Sequence, residues 1–547
     1  MAEGHTVRAI LLIITTALAA GGQVQFSGIV KNSITGLPDA KATVRLVPIA
    51  GRVGYVRTSG ASGEFRFEQI SPGDYRLGME RRGFSTAAHA ALKGVPGGSV
   101  IHLTAGQNLA DLDVMATPLP IVSGTVTEGP GEGAPVPRAI VEVLAQRWSI
   151  AGRWFEEVDD VATNDLGEFR AAELEPGRYY FYATRPEEGA LSEIVKDASG
   201  KGELCLAGAY YPNASAIESA SPVEVRAGQE VTGIALHLAW SPCFHVRGQA
   251  GQDVNAVQVI RRGQDTPLSW ETHAADREKD GTFDVRGVPS GDYLVSAVVP
   301  LGRRGSAEAV TVESHDLEGL VVAGENIPFR ARIQVEGDGA PPLTTMFLRL
   351  ETVTGPGNST VHRVAVQPDG TARLDRIAPE RYTLTAGSSP GGVYVKSVKA
   401  GAEALQSPVL DYRRGSPPEL EILLGLGTGR VQGTLQWPDS SQGGVPVPTG
   451  DALVAVLVPQ VARPGTRGAW FADLDQNGAF TFSEIPPGKY TAFVAANLEE
   501  GLWTNREFVG LVQGGGVPVE LPEKGSVQVQ VSVLPLPMAQ RAMESLR

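Results

Sequence analysis

Cysteine is nearly missing from this chain: there are two in 547 residues, Cys205 and Cys243, so at most one disulfide can form within it. Basic charge is in deficit as well. Lys and Arg total 47 against 61 Asp and Glu, a formal net charge of −14. With no basic stripe and no RNA-type aromatic motif, that balance argues against nucleic acid as a partner, because such binding depends on neutralising phosphates. Beyond Ala9–Ala20, no stretch approaches the ~20 apolar residues of a membrane-spanning helix, so no transmembrane segment is expected in the mature chain. Helical periodicity is scarce, and no G-x-x-x-x-G-K-[ST] loop for phosphates occurs.

Turn residues are abundant instead. The 66 glycines and 38 prolines, with 42% apolar residues, describe a loop-rich β protein that can still form cores. One stretch recurs five times, first as SGEFRFEQISPGDYRL at Ser62–Leu77, then at Asp165–Phe181, Asp280–Val295, Asp369–Leu384 and Asn477–Phe493. In each copy a glycine (Gly63, Gly167, Gly281, Gly370, Gly478) precedes an aliphatic residue by seven positions and a tyrosine by twelve: Tyr75, Tyr179, Tyr293, Tyr382, Tyr490. The glycine permits the positive φ of a tight hairpin turn. Phe65 and Phe67, like Phe480 and Phe482, then alternate with polar residues, as expected of a strand with one buried face. Pro-Gly makes a second turn in copies one, two and five, and the tyrosine opens the next strand. The spacing predicts a structural tyrosine, ring in the core and hydroxyl on a backbone group.

The tyrosine-to-tyrosine steps of 104, 114, 89 and 108 residues set a unit of about a hundred residues. Arg8, the apolar run Ala9–Ala20 and the small residues after it have the pattern of a secretory leader over residues 1–22. The expected division is then five β-sandwiches over 23–118, 119–242, 243–326, 327–427 and 428–536, strung like beads, with a tail at 537–547. Each unit shows about seven short strands, giving an all-β protein of tandem sandwich domains.

The cassette G-x-F-x-F-x-x-[hydrophobic]-x-P-G-x-Y, preceded by a G-x-V strand and followed by a V-x-V-x-x-G-x ending, resembles the carboxypeptidase regulatory-like domain. The match is good in units 1, 2 and 5, fair in unit 3, and weak in unit 4, where Ala372 and Glu380 replace the aromatic and the glycine. The resemblance implies a transthyretin-like sandwich, a fold also shared by starch-binding-like domains, with no catalytic residue to carry over. It implies an exported, non-catalytic protein acting as a binding or cell-envelope component, with polysaccharide or an envelope protein as partner. Two alternatives stand beside it: a carbohydrate-binding protein proper, and the regulatory partner of a peptidase system. The destination is periplasmic, outer-surface or secreted.

Local motifs offer sharper readings. Asp473, Asp475, Asn477 and Glu484 fit the calcium-loop pattern D-x-D-x-N-G-x5-E, although the same residues suit a plain hairpin turn; calcium is thus the one cofactor in question. Ser389 in G-x-S-x-G and His315 in H-x-x-E lack the scaffolds their chemistries need. In an oxidising compartment Cys205 and Cys243 are expected to pair and to tie the insertion 186–219 to unit 3. Finally, Tyr180 and Tyr182 alternate with Tyr179 and Phe181, so they face away from the core of unit 2. With Trp148, Trp154, Tyr210 and Tyr211 they form the densest aromatic group in the chain, a candidate ligand surface if exposed, or a packing surface if a neighbour covers it.

Overall fold

The computed structural model describes residues 24–546 apart from 51–53, 86–88, 93–99, 130–132, 151, 186–193, 264–266, 300–302, 324–326, 354–359, 390, 414, 416, 437–452, 476 and 497. The leader expected at residues 1–22 lies outside these residues. The described chain is all-β apart from short helical turns and two α-helices near its end, and it folds as β-sandwiches in series.

Unit 1 shows the plan. One sheet runs Glu64–Ile70, Val24–Asn32, Asn108–Ala116, His89–Leu92; the other runs Tyr55–Thr58, Thr43–Pro48, Gly73–Glu80, Val100–Leu103. The opening strand therefore lies between the cassette strand, antiparallel to it, and the closing strand, parallel to it. The same parallel pairing of opening and closing strands recurs in the other four units. Phe26, Phe67, Val44 and Leu77 meet between the sheets with almost no exposure.

Two local rules hold the cassettes in place. The five turn glycines have φ between 73° and 92°, where a side chain would be strained. The five cassette tyrosines each donate their hydroxyl to the carbonyl four residues back: Ser71, Glu175, Pro289, Ala378 and Pro486, at 2.6–2.9 Å. The tyrosines are structural, as their spacing predicts.

The opening strand's glycine has its own reason. Gly28, Gly124, Gly248 and Gly433 stand opposite Phe65, Phe169, Phe283 and Phe480 in register. An added Cβ at these glycines would sit 2.9, 2.7, 2.9 and 2.0 Å from those rings. In unit 4 the pair is Ala331 opposite Ala372, both buried. The ring and the missing Cβ have been exchanged together, so the weakest cassette keeps the geometry with a different pair of volumes.

Units 2 and 3 share a strand. Glu230–Ala250 is one continuous strand of 21 residues that closes unit 2 and opens unit 3, so the expected junction at 242 falls inside a strand. The chain also returns on itself. Arg76 of unit 1 pairs with Asp473 of unit 5, and the Trp148 amide of unit 2 donates to Glu499 of unit 5 at 2.7 Å.

The tail expected at 537–547 is folded. Helices α1 (Arg506–Val512) and α2 (Leu536–Ser545) lie over the outer face of the sheet carrying Leu453–Pro459 and Gly488–Ala496. There Trp503, Phe508, Val512, Leu534 and Ala539 bury Val456, Val458 and Phe493 in a second core. Asn505 starts α1, its side chain accepting from the Phe508 amide. The runs LVAVLV and TAFVAA are apolar on both faces, which is what a doubly covered strand requires.

Candidate functional site

The aromatic group of unit 2 leads to the junction with unit 3. Tyr179 and Phe181 enter the core of unit 2, and Tyr180 and Tyr182 face the other way, as strand alternation demands. They are not, however, an open surface. Tyr182 is 6% exposed and Tyr210 is fully buried. Their rings lie 4.6 Å apart, in a cluster with Leu144 and Ile217 of unit 2 and Leu268 of unit 3. Of the two alternatives, a packing surface describes Tyr182 and Tyr210: the shared strand holds unit 3 against this face, and burying the rings there removes apolar surface from water. Tyr180 is half-buried, edge-on to Phe155 at 5.2 Å. Tyr211 packs on the core of unit 2, Trp148 against the helical layer of unit 5, and Trp154 has its indole N–H buried without a hydrogen-bond partner.

Beside the buried rings lies a cavity of 460 Å³, bounded by Tyr182, Arg138 and Arg185 from unit 2 and by Arg261, Glu271 and Tyr293 from unit 3. Its floor is a polar network. The Trp270 indole N–H donates to the Tyr210 hydroxyl at 2.8 Å, and that hydroxyl donates to Glu271. Glu271 faces Arg261 at 3.6 Å. Arg261 also donates to the Ser290 carbonyl and the Tyr293 hydroxyl, and it sits over the Tyr293 ring at 5.7 Å. Burial pushes the Glu271 carboxyl up, although Arg261 and the Tyr210 hydroxyl pull the other way. Burial likewise drives the Tyr182 and Tyr210 hydroxyls well above the ordinary phenol range.

Cys205 and Cys243 border the same junction, on neighbouring strands, buried and as thiols. They are diagonal neighbours, since Cys205 stands opposite Ser241 and Cys243 opposite Glu203. The Cys243 thiol is pushed up by its hydrogen bond to Cys205, then by burial. Next to them His245 is held between two carboxylates, Nδ1 at 2.7 Å from Asp284 and Nε2 at 3.0 Å from Glu203, which also takes Lys196 at 2.8 Å.

The proposed calcium loop folds as a hairpin turn. The Asp475 carboxylate accepts from the amides of Asn477 and Ala479 at 2.8 Å each, Asp473 is engaged with Arg76, and Glu484 is directed at Gly391 of unit 4. Among the described residues no group of three or more His, Cys, Asp and Glu comes together that could hold a metal. Asn164 of unit 2 accepts from the amides of Leu166 and Glu168 at 2.9 Å each in the same way, so a side-chain oxygen at this position serves the turn.

Sequence reasoning did not find Arg261, Glu271 or His273. Glu271 and His273 lie in an ordinary alternating strand, Pro267–Asp276, and only the shared strand brings them to the tyrosines of unit 2. The one available signal was the buried-type alternation of Tyr180 and Tyr182, which called for a cover.

Residues 25–116, the first unit, match the family model of the carboxypeptidase regulatory-like domain. No curated protein matches the chain. Among solved structures, the TIE protein of Bacillus anthracis is similar over 76% of this chain and 74% of its own, at 13% identity and a TM-score of 0.16. BcpA, the major pilin subunit of Bacillus cereus, is similar over 55% and 99%, at 8% identity and 0.16. Two B repeat units of the collagen binding protein of Staphylococcus aureus are similar over 74% and 100%, at 10% identity and 0.12.

Proposed function

We propose that this chain is an exported, non-catalytic protein of tandem β-sandwich domains that acts by binding or as a structural part of the cell envelope. The observation that carries the reading is the use made of the repeated tyrosine. All five copies commit the hydroxyl to a backbone carbonyl, so the most repeated polar side chain of the cassette serves the scaffold. The match of unit 1 to a regulatory-like domain supports the same reading. Export is supported by the leader pattern at residues 1–22 and by two cysteines placed side by side. The domains are taken as 23–118, 119–242, 243–326, 327–427 and 428–536, with the helix of the last residues belonging to the fifth. Cell fractionation with amino-terminal sequencing tests the reading: a mature chain starting near residue 23 in the envelope or medium is expected, whereas an intact leader on cytoplasmic protein contradicts it.

A second part of this proposal concerns Cys205 and Cys243, whose thiols already touch across adjacent strands. In an oxidising compartment they pair, closing the loop between the insertion and unit 3 and adding about 3–4 kcal/mol. Alkylation and mass spectrometry of the exported protein are expected to find one disulfide; two alkylated thiols would end the idea.

A further inference from the structure

We propose that the open edge of Ser526–Ser532 in unit 5 is a self-association surface, pairing antiparallel with the same strand of a second copy of this chain. The proposal goes beyond the reading of the chain as an exported binding or envelope protein. Its first support is a comparison between units. In unit 1 the closing strand has His89–Leu92 along its far edge, and in unit 4 Val393–Ala400 lies there, both antiparallel. Under that cover Leu112, Val114, Leu420, Ile422 and Leu424 are buried. In unit 5 the sheet stops at Ser526–Ser532, and among the described residues no strand pairs with its far edge. Val527 and Val529, on the core-facing side of that strand, are left half-buried. The segment that supplies the fourth strand in units 1 and 4 forms α1 and its flanking turns in unit 5, and it covers the opposite sheet.

The second support is that this edge carries none of the usual protection. Ser526–Ser532 has no charge, proline or glycine, whereas edges left open to water are commonly blunted by charges, prolines or bulges. Leu317–Val322 of unit 3 likewise pairs on one side, with the shared strand. It is guarded, however: Glu318 pairs with Arg247, and Gly319 has a φ of 77°.

The third support identifies the occupant. The segment reads Ser-Val-Gln-Val-Gln-Val-Ser, the same in both directions. A two-fold axis at Val529 therefore sets Ser526 opposite the partner's Ser532, Val527 opposite the partner's Val531 and Gln528 opposite the partner's Gln530, with Val529 opposite its own counterpart. Each face keeps its character across the axis. The valines cover each other's open flanks, and the exposed glutamines match amide donor to amide acceptor. No like charges meet, since Lys524 falls opposite the partner's Leu534 and Glu523 opposite the partner's Pro535. A closed two-fold pair uses up both edges, so assembly stops at the dimer. A ladder of this length is a small interface, and a Kd of roughly 1–100 μM is expected.

Sedimentation velocity on the full chain tests this from about 1 to about 200 μM, a range that brackets the expected Kd. A reversible equilibrium of monomer and dimer is expected. Gln528 and Gln530 are exposed, so changing them leaves the fold intact, which circular dichroism checks. Gln528→Lys with Gln530→Lys sets ammonium against ammonium on both sides of the axis and is expected to weaken the dimer about tenfold or more. Gln528→Lys with Gln530→Glu sets opposite charges across the same axis, so the dimer is expected to persist. That rescue requires the antiparallel register centred on Val529. A chain monomeric at about 200 μM overturns the proposal, as do a dimer untouched by the first double variant, loss of the dimer in both double variants, and growth into species beyond the dimer. A monomeric chain found in the envelope overturns it and leaves the broader reading standing.

Discussion

Tyr382 and its four counterparts each bring a side-chain donor to a carbonyl at the sandwich end, and in unit 4 the Ala378 carbonyl accepts from the Glu380 amide as well. Tyr382→Phe keeps the ring and leaves the Ala378 carbonyl with the Glu380 amide, so unit 4 is expected to lose about 0.5–1.5 kcal/mol, the net worth of one hydrogen bond. Hydrogen exchange read peptide by peptide checks this, because five units in one chain do not unfold as two states. Unchanged exchange in unit 4 would contradict it. The exchange of Gly-Phe for Ala331-Ala372 makes a second residue-scale prediction. Ala372→Phe alone drives a ring against the Ala331 Cβ and is expected to destabilise unit 4 by about 1–3 kcal/mol. Adding Ala331→Gly removes the obstructing atom and restores at least a third of that loss. A strictly additive pair would show that the two positions do not share one space.

At the scale of elements, the cassette was legible because its requirements are local: positive φ at a turn, an alternating strand, a tyrosine four residues past a carbonyl. The cover over Tyr182 and Tyr210 was not, since it comes from Leu268, Trp270 and Glu271, which follow Tyr210 by about sixty residues and Tyr182 by more than eighty. The helical layer of unit 5 stands between these cases. Its helices are short and weakly patterned, but LVAVLV and TAFVAA announced a sheet apolar on both sides. Trp503 fills the centre of that layer, packed on Phe493 at 5.1 Å and edge-on to Phe508 at 5.5 Å. Trp503→Ala is expected to cost about 3–5 kcal/mol. Because the inner core of unit 5 is separate, the loss should show as faster exchange at Leu453–Pro459, Gly488–Ala496 and both helices, with units 1 and 4 unaffected. Uniform loosening of the whole chain would argue against a distinct layer.

For the whole molecule the decisive contact is the one between units 2 and 5, because it turns a string of sandwiches back on itself. The Gly501 backbone lies against the Trp148 carbonyl, closely enough that an added Cβ would sit 1.8 Å from that oxygen, and Glu499 accepts from the Trp148 amide. Burial raises the Glu499 carboxyl from 4.5 to about 7, against the pull of the Trp148 amide and Arg147. A pKa raised in the docked form means that docking binds a proton. The contribution is therefore fully present below about pH 4.5 and is lost as pH rises through about 7. The Arg76–Asp473 pair between units 1 and 5 is half-exposed and weakens with salt. Small-angle scattering is thus expected to give a more compact chain at pH 5 in low salt than at pH 8 in high salt. Glu499→Gln keeps an oxygen for the Trp148 amide and removes the titration, so its dimensions should hardly change with pH at fixed low salt. A variant that still expands between pH 5 and pH 8 would place the pH response elsewhere, and a wild-type chain of constant dimensions would mean that units 2 and 5 are held by their apolar contact alone.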